Sequence, residues 1–149
     1  MQSDHQEQFL VERLRKSENF IPELSIVAEI DQSIVGYILL TKLKIKNSEN
    51  EFESLALAPV AVLQKLQNTG IGASLINYAQ DKAKALNFKS IILLGHEDYY
   101  PRFGYKLAKS FNIKLPFDVP DENCIVIELE ENALKNISGI VEYPKEFYD

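Results

Sequence analysis

The sequence predicts a mixed α/β (α+β) fold in which a central, twisted, mixed β-sheet is flanked by helices. Three observations support this: a hairpin pattern near the N-terminus, a strand–loop–helix–strand order across residues 51–94, and further strand patterns after residue 104. Of the 149 residues, 46% are hydrophobic and 26% are charged, which is ordinary for a globular domain. Because no repeat or linker-like tract divides the chain, we expect a single domain over residues 1–149.

The N-terminal part of the chain predicts one helix followed by a β-hairpin. Leu10 and Leu14 lie one turn apart in a charged stretch, which predicts a helix over residues 6–16. Pro22 is then expected to break the chain. The two strands of the hairpin and the turn between them are expected at residues 25–30, 34–46 and 31–33.

The middle of the chain predicts a βαβ unit. Residues 51–63 form the most apolar long run and are typical of a central strand. Pro59 within this run predicts a bulge or a break in pairing, because proline cannot donate a hydrogen bond to its neighbour strand. Apolar residues at three- and four-residue steps from Ile71 to Leu86 predict an amphipathic helix, and Ser90–Leu94 predicts a short buried strand.

The last third of the chain predicts only short elements. Residues 98–103 are expected to form a short helix, and residues 132–136 one helical turn. Strands are expected at residues 105–109, 124–129 and 139–142.

Charge and residue content disfavour several classes of protein. The net charge of −6 argues against a nucleic-acid partner, since phosphate neutralisation supplies most of that affinity. Two histidines and one cysteine are too few soft ligands for a zinc site, so no metal is expected, and Cys124 is predicted to be a small core residue. No apolar run approaches the ~20 residues that span a bilayer, and no signal peptide is recognised. These observations predict a cytoplasmic protein with no membrane partner.

The polar loop before the central helix is the best candidate for a binding site. Gly70 and Gly72 allow close approach of a ligand to the backbone, and a helix N-terminus offers unpaired N–H groups to a phosphate. The alternative is an ordinary helix start in which Asn68 or Thr69 is the N-cap. A Rossmann fingerprint is excluded because its third glycine falls on Leu75, and a P-loop is excluded because Gly-Lys-Ser/Thr is absent.

Two sequence blocks stand on either side of that helix. Val60-Ala61-Val62 leads into Gln67-x-x-Gly70-x-Gly72-Ala73, and the block over residues 94–105 contains Tyr100 followed by Gly104-Tyr105. The first block resembles motif A of the GNAT (Gcn5-related) N-acetyltransferase superfamily, and the second resembles its motif B. The residues of both blocks are similar to those of the YhbS-like bacterial branch, and the resemblance covers about residues 9–147.

The resemblance implies acetyl-CoA (coenzyme A) as the cofactor and assigns its binding residues. Backbone groups of one strand segment would contact the pantetheine arm and the acetyl carbonyl: Val60, Ala61 and Val62. Loop amides would hold the pyrophosphate: Gln67, Asn68, Thr69, Gly70, Ile71, Gly72 and Ala73. The strand around Pro59 would diverge from Ser90–Leu94 and leave a slot for pantetheine.

The resemblance also implies catalytic residues. Tyr100 would be the general acid to the departing thiolate, a role that suits a phenol of pKa near ~10; the alternative is a tyrosine packed at the core edge. The glutamate base of many family members falls here on Ala56. His96 is then a candidate base, because its unperturbed pKa suits proton transfer, or else a loop histidine bonded to backbone. Glu53, Ser54 and a base-free water relay stay open.

The N-terminus departs from the family pattern. These folds usually begin with a strand, but the helical pattern here starts within the first ten residues, so the first strand is expected to be missing, either because the chain is truncated or because this branch lacks it. A missing strand leaves a sheet edge open and invites a partner strand or a homodimer.

The function that the resemblance implies is transfer of acetyl from acetyl-CoA to a primary amine, by direct attack in a ternary complex. The alternative from another class is a non-catalytic acyl-CoA-binding or regulatory module of the same fold. A third alternative is a protein without a CoA site. The acceptor amine cannot be identified from the sequence.

Overall fold

The computed structural model describes residues 5–95 and 98–148. The longer elements are α1 (His5–Arg15), β1 (Phe20–Ile30), β2 (Ser33–Lys46), β3 (Glu51–Val62), α2 (Ile71–Ala85) and β4 (Ser90–Leu94). The later strands are β5 (Lys106–Leu107), β6 (Ile113–Lys114), β7 (Cys124–Glu128) and β8 (Gly139–Glu142). Short 3-10 turns lie at Gln64–Leu66, Tyr100–Phe103, Ala108–Phe111, Asp121–Asn123 and Lys145–Phe147.

The strands form one mixed sheet, which confirms the predicted fold class. Its order is β5-β7-β4-β3-β2-β8-β6, with β1 paired to β2. The β3–β4 and β6–β8 pairs are parallel and the others are antiparallel. β2 is 14 residues long, so one of its edges carries β1 along its first part and β8 at Lys44, Ile45 and Lys46.

The two faces of the sheet bury two separate cores. Along β3, Leu55 and Leu57 join the core beneath α2, whereas Ala56 joins the core on the opposite face, as strand alternation requires. α2 packs closely on β2 because Gly36 has no side chain; a Cβ there would lie 3.0 Å from Leu75 Cδ1. α2 is therefore held tightly against the middle of the sheet, and its N-terminus has a defined position.

One difference from the sequence-based prediction concerns Pro22. Pro22 lies inside β1 instead of breaking the chain before it, in a stretch where the register between β1 and β2 shifts between Phe20 and Ser25. This is tolerated because, among the residues that the structure describes, β1 pairs on one side only, so the missing N–H breaks no second ladder. In the described part of the chain α1 is the first element, and no strand precedes it.

The short elements after β4 also differ from the prediction. Residues 98–103 form only the 3-10 turn at Tyr100–Phe103, and the strand expected at residues 105–109 is limited to β5. β6 was not predicted at all. β5 and β6 are strands only because they pair with β7 and β8. Two residues are too few to give a periodic pattern in the local sequence.

Cys124 lies where the sequence predicts, buried in the core away from α2. Burial raises the pKa of its thiol to about 11, so the thiol stays protonated at neutral pH. Across residues 5–95 and 98–148, no helix is long and apolar enough to cross a membrane. The same described residues contain no cluster of three or more His, Cys, Asp or Glu side chains suited to a metal ion.

Candidate active site

A gap opens in the sheet where β3 and β4 separate. The two strands pair only at Leu55–Ile91 and Ala56–Ile92. β3 continues along β2, but the register of the pair shifts. Leu57 and Val60 of β3 pair with Leu40 and Ile38 of β2, so β3 has one more residue than β2 between these two pairs. This extra residue is a β-bulge at Ala58–Pro59, and a bulge bends its strand. The predicted bulge at Pro59 and the predicted divergence from β4 are therefore both confirmed.

Beyond the bulge, main-chain groups of β3 face the gap. The N–H of Leu63 donates to Val35 O on the β2 side (2.8 Å). Because successive residues of a strand point their polar groups to opposite sides, those of Val60 and Val62 point away from β2. Gln67 Nε2 donates to Val62 O at 3.5 Å, as this orientation requires.

A cavity of about 560 Å³ lies between this segment, the start of α2 and the turn after β4, and we call it the α2 cavity. It brings together most of the residues that the resemblance assigns to the site: Val60, Ala61, Val62, Gln67, Asn68, Gly70, Gly72, Ala73 and Tyr100. Thr69 and Ile71 instead line a separate groove of about 800 Å³ between β1 and α2, which we call the β1 groove. Their side chains therefore lie on the other side of the helix start.

The start of α2 is an uncapped helix N-terminus. The N-cap is Gly70, at φ 90° in the left-handed region, and in the described structure no side chain caps the helix. The alternative in which Asn68 or Thr69 is the N-cap is therefore wrong; the Thr69 hydroxyl donates to Leu66 O instead. The first intrahelical bond runs from Ser74 N to Gly70 O. The N–H groups of the helix residues before Ser74 therefore have no intrahelical partner and can bind an anion.

Tyr100 lies at one wall of the α2 cavity. Its half-buried ring packs edge-on against Tyr99 and Tyr105, with centroid distances of 5.1 and 5.7 Å. Burial, and to a smaller extent Tyr99, raises the pKa of Tyr100, so its phenol remains protonated at neutral pH. A Cβ at Gly95 would lie 2.5 Å from the Tyr100 ring, so this glycine is what allows the ring to occupy its position.

Two further residues of this turn line the α2 cavity and were missed from the sequence. Tyr99 borders the cavity. Arg102 Nε donates to Tyr99 O (2.8 Å), and its guanidinium lies 4.5 Å from the centroid of the Tyr99 ring. The three-residue spacing of an aromatic residue and an arginine within one helical turn is the signal that would have indicated this pair.

The structure narrows the choice of a base. His96 lies outside the described residues. Ser54 is buried and bonded to Ser90, with 2.7 Å between the two Oγ atoms, and Glu53 is exposed; neither lines the α2 cavity. Ala56, where the family's glutamate would fall, is 1% exposed and lies in the sheet face opposite α2.

A second cavity lies at the same gap on that opposite face. It has a volume of about 470 Å³, and we call it the aromatic pocket. Its lining residues are Ala56, Leu57, Ala58, Ile92, Leu93, Leu94, Phe117, Tyr143, Phe147 and Tyr148.

The α2 cavity combines an uncapped helix start with tyrosine side chains at its wall, and these features indicate the class of protein. The family model described as the acetyltransferase (GNAT) family matches residues 1–105. The chain belongs to the GNAT acetyltransferase family, and the resemblance inferred from the two sequence blocks is confirmed.

Two curated relatives from Escherichia coli K12 are described as uncharacterized N-acetyltransferases. YjhQ is 31% identical over 115 residues, which is 76% of this chain and 64% of YjhQ. YhbS is 26% identical over 125 residues, which is 83% of this chain and 74% of YhbS. The chain thus spans slightly less than two thirds of the length of YjhQ and about three quarters of that of YhbS.

Solved structures show the same fold. The E. coli YhbS structure in complex with CoA superposes with a TM-score of 0.87 at 25% identity, over 96% of this chain and 78% of YhbS. A GNAT acetyltransferase from Brucella melitensis in complex with acetyl-CoA gives a TM-score of 0.76 at 27% identity, over 97% of this chain and 80% of that one.

Proposed function

We propose that this protein is an N-acetyltransferase that binds acetyl-CoA in the α2 cavity and transfers its acetyl group to a primary amine. The observation that carries the proposal is the convergence of three groups on one cavity. These are the gap-facing main-chain groups of Val60 and Val62, the uncapped N-terminus of α2 and the Tyr100 phenol. The crystal structures of YhbS with CoA and of the Brucella enzyme with acetyl-CoA support the proposal.

The α2 cavity fits a phosphate-containing cofactor. Gly70 and Gly72 leave the helix start free of bulky side chains, and the unpaired N–H groups there suit the pyrophosphate. Backbone amide dipoles would thus hold the anionic pyrophosphate even though the net charge of the chain is −6. Main-chain groups of Val60 and Val62 would contact the pantetheine arm, because they point into the gap.

Acetyl-CoA supplies a thioester when bound, and residues of the chain position and protonate the reacting groups. Backbone N–H groups of β3 would stabilise charge that develops on the carbonyl oxygen. The Tyr100 phenol would donate its proton to the leaving sulfur. The N–C bond forms as the C–S bond breaks, the proton lost by the amine passes to water, and water returns a proton to the Tyr100 phenolate. Holding both reactants in one ternary complex supplies much of the rate.

The Tyr100→Phe variant tests the role of the phenol. Thiol release from acetyl-CoA is measured over a panel of amines for the wild type, Tyr100→Phe and the control Tyr78→Phe, which alters an exposed tyrosine elsewhere. We expect Tyr100→Phe to lower kcat by about 10²–10⁴-fold with acetyl-CoA affinity retained, and the control to match the wild type. Because the pKa of Tyr100 is raised, wild-type kcat should show no descending limb below pH ~10.

A non-catalytic acyl-CoA-binding module is the second candidate. Ala56 favours it, because the position of the usual base carries no ionisable group. Tight CoA binding without thiol release for any amine would support the module and contradict the enzyme. If acetyl-CoA binds to neither the wild type nor Tyr100→Phe, both candidates are excluded.

A homodimer, the cytoplasmic location and the lack of a nucleic-acid partner stay predictions. In the described structure β1 pairs only with β2, so its outer edge is open. We propose that a second copy covers this edge. Sedimentation measurements test this; the mass of one chain at every concentration would overturn it.

A further inference from the structure

We propose that the acceptor is a primary amine carrying an aromatic group, and that the aromatic pocket holds this group while the amine enters the gap between β3 and β4. This inference rests on the proposed acetyltransferase function and specifies its second substrate by chemical class.

The aromatic pocket lies at the same gap in the sheet as the α2 cavity. Ala56 and Ile92, the last residues that join β3 to β4, both line it. Ala58 borders the aromatic pocket, whereas Val60, just beyond Pro59, borders the α2 cavity. The two cavities therefore meet the same gap from opposite faces of the sheet, and a group in one is separated from the other only by that gap.

The lining of the pocket is suited to an aromatic ring. Phe117 and Tyr143 stack with centroids 5.9 Å apart and planes 15° apart, and Tyr143 and Phe147 lie 5.1 Å apart in a tilted pair. Rings in offset or edge-to-face contact gain energy beyond the buried area, so a ligand ring would extend this cluster favourably. A volume of about 470 Å³ is also within the range of small-molecule sites.

Several apolar side chains of the pocket still contact solvent. Leu94 is 49% exposed, Phe117 43% and Tyr148 61%, although each is a large hydrophobic residue at the pocket wall. An apolar ligand would cover this surface, which is favourable in proportion to the area removed from water. A polar amine of similar length would cover it without that gain.

The pocket is also electrically neutral in the described structure. None of its described lining residues is a carboxylate, lysine or arginine. Burial, followed by Cys124 and Tyr148, raises the pKa of Tyr143, so its phenol stays uncharged. A polycationic acceptor such as a polyamine would lose hydration in this pocket without gaining a charged partner there.

The reaction balances with the groups already named. The neutral amine nitrogen bonds to the acetyl carbon, the C–S bond breaks and Tyr100 protonates the sulfur. The excess amine proton passes to water, and water returns a proton to the Tyr100 phenolate. The aromatic group itself takes no part in bond changes and contributes through binding and orientation.

The experiment compares acceptors and one variant of the pocket. Thiol release from acetyl-CoA is measured with phenethylamine, cyclohexylethylamine, ethanolamine and putrescine. We expect kcat/KM for phenethylamine to exceed that for ethanolamine and putrescine by about tenfold or more, with cyclohexylethylamine between. Phe117→Ala should lower kcat/KM for phenethylamine about tenfold, mainly by raising KM, and by a larger factor than kcat/KM for ethanolamine.

Controls separate a local effect from misfolding. Phe117→Leu should restore part of the loss, and Tyr78→Ala, which removes an exposed ring outside both cavities, should match the wild type. Phenethylamine binding to the CoA-loaded wild-type protein, measured by saturation-transfer NMR, keeps the test independent of how well Phe117→Ala folds. Absence of saturation transfer would count against the proposal.

The outcomes distinguish this inference from the function on which it rests. Equal or better turnover of ethanolamine or putrescine would overturn the aromatic acceptor and leave the acetyltransferase standing. An unchanged KM for phenethylamine in a folded Phe117→Ala would overturn the assignment of the pocket. No thiol release with any amine would overturn both proposals.

Discussion

Arg102 is the one charged side chain among the described residues that line the α2 cavity. Its bond to Tyr99 O and its place over the Tyr99 ring hold the guanidinium at the cavity wall. Arginine is suited to phosphate because its planar guanidinium presents several donors at once. At this position it would add a side-chain cation to the backbone amides of α2.

Replacing Arg102 by glutamine should therefore weaken cofactor binding. We expect Arg102→Gln to raise KM for acetyl-CoA about two- to fivefold, with kcat little changed, because exposed ion pairs contribute only ~0.2–1 kcal/mol. Steady-state kinetics at low and high salt measure this, with Lys109→Gln as the control on an exposed lysine outside the cavity. Identical KM values at low salt would show that Arg102 does not contact the cofactor.

Tyr105 carries a buried hydroxyl without a hydrogen-bond partner in the described structure. Burial and Tyr100 raise its pKa far above the ordinary value. Because the folded pKa lies above the unfolded one, the associated stability is present below pH ~10 and is lost as the pH rises further. Tyr105→Phe should raise the free energy of unfolding at pH 7 by about 1 kcal/mol, since an unsatisfied buried hydroxyl costs ~1–3 kcal/mol.

Urea unfolding at pH 7 and at alkaline pH measures this effect. The stability lost between the two pH values should be smaller for Tyr105→Phe than for the wild type. A loss of stability in the variant at pH 7 would show that the hydroxyl has a partner in solution.

At the scale of elements, the start of α2 contains two glycines with different roles. Gly70 has φ 90° and open space around a Cβ, so alanine there would strain the backbone without clashing. A Cβ at Gly72 would make ordinary contacts with Val62 (3.7 Å) and the Tyr99 hydroxyl (4.0 Å), both at the wall of the α2 cavity.

The two alanine variants should therefore have opposite effects. Gly70→Ala should lower the free energy of unfolding by ~1–2 kcal/mol, because a left-handed conformation costs that much with a side chain. Gly72→Ala should retain stability, since alanine favours helices by ~0.5–1 kcal/mol over glycine, but raise KM for acetyl-CoA. Denaturation and kinetics on both variants check this, and unchanged KM in Gly72→Ala would contradict the proposed place of the cofactor.

The elements differ in how well the sequence predicts them. α2 and the hairpin strands carry long periodic patterns, and their observed bounds differ from the predicted ones by a few residues at most, apart from the start of β1. Pro22 was misjudged because it lies on an edge strand, and edge status depends on which strands pair. β6 was missed because Ile113 and Lys114 become a strand only by pairing beside β8.

At the scale of the whole molecule, ligand binding should stabilise the fold. A ligand that binds only the folded state at 100 times its dissociation constant adds about 2.7 kcal/mol. For a chain of this size that corresponds to a rise in Tm of roughly 5–11 °C. Thermal unfolding with and without acetyl-CoA measures the shift, with acetate plus adenosine as the control additive. No rise in Tm at saturating acetyl-CoA would support the alternative that the protein has no CoA site.

By itself, the sequence determined the fold class, the order of the long elements and the loop before α2. These follow from local information, because periodicity, glycine spacing and proline act within a few residues along the chain. The family resemblance added the identity of the cofactor and the candidate acid Tyr100.

Only the tertiary structure decided how these segments combine. The sequence predicts the bulge at Pro59 and the divergence of β3 from β4, but only the pairing of the strands places two cavities at the gap between them. Arg102 lines the α2 cavity and Phe117 lines the aromatic pocket. Both lie in turns or loops, where the sequence has no periodic pattern. Contacts between residues distant in sequence are set by packing, and no local pattern encodes them.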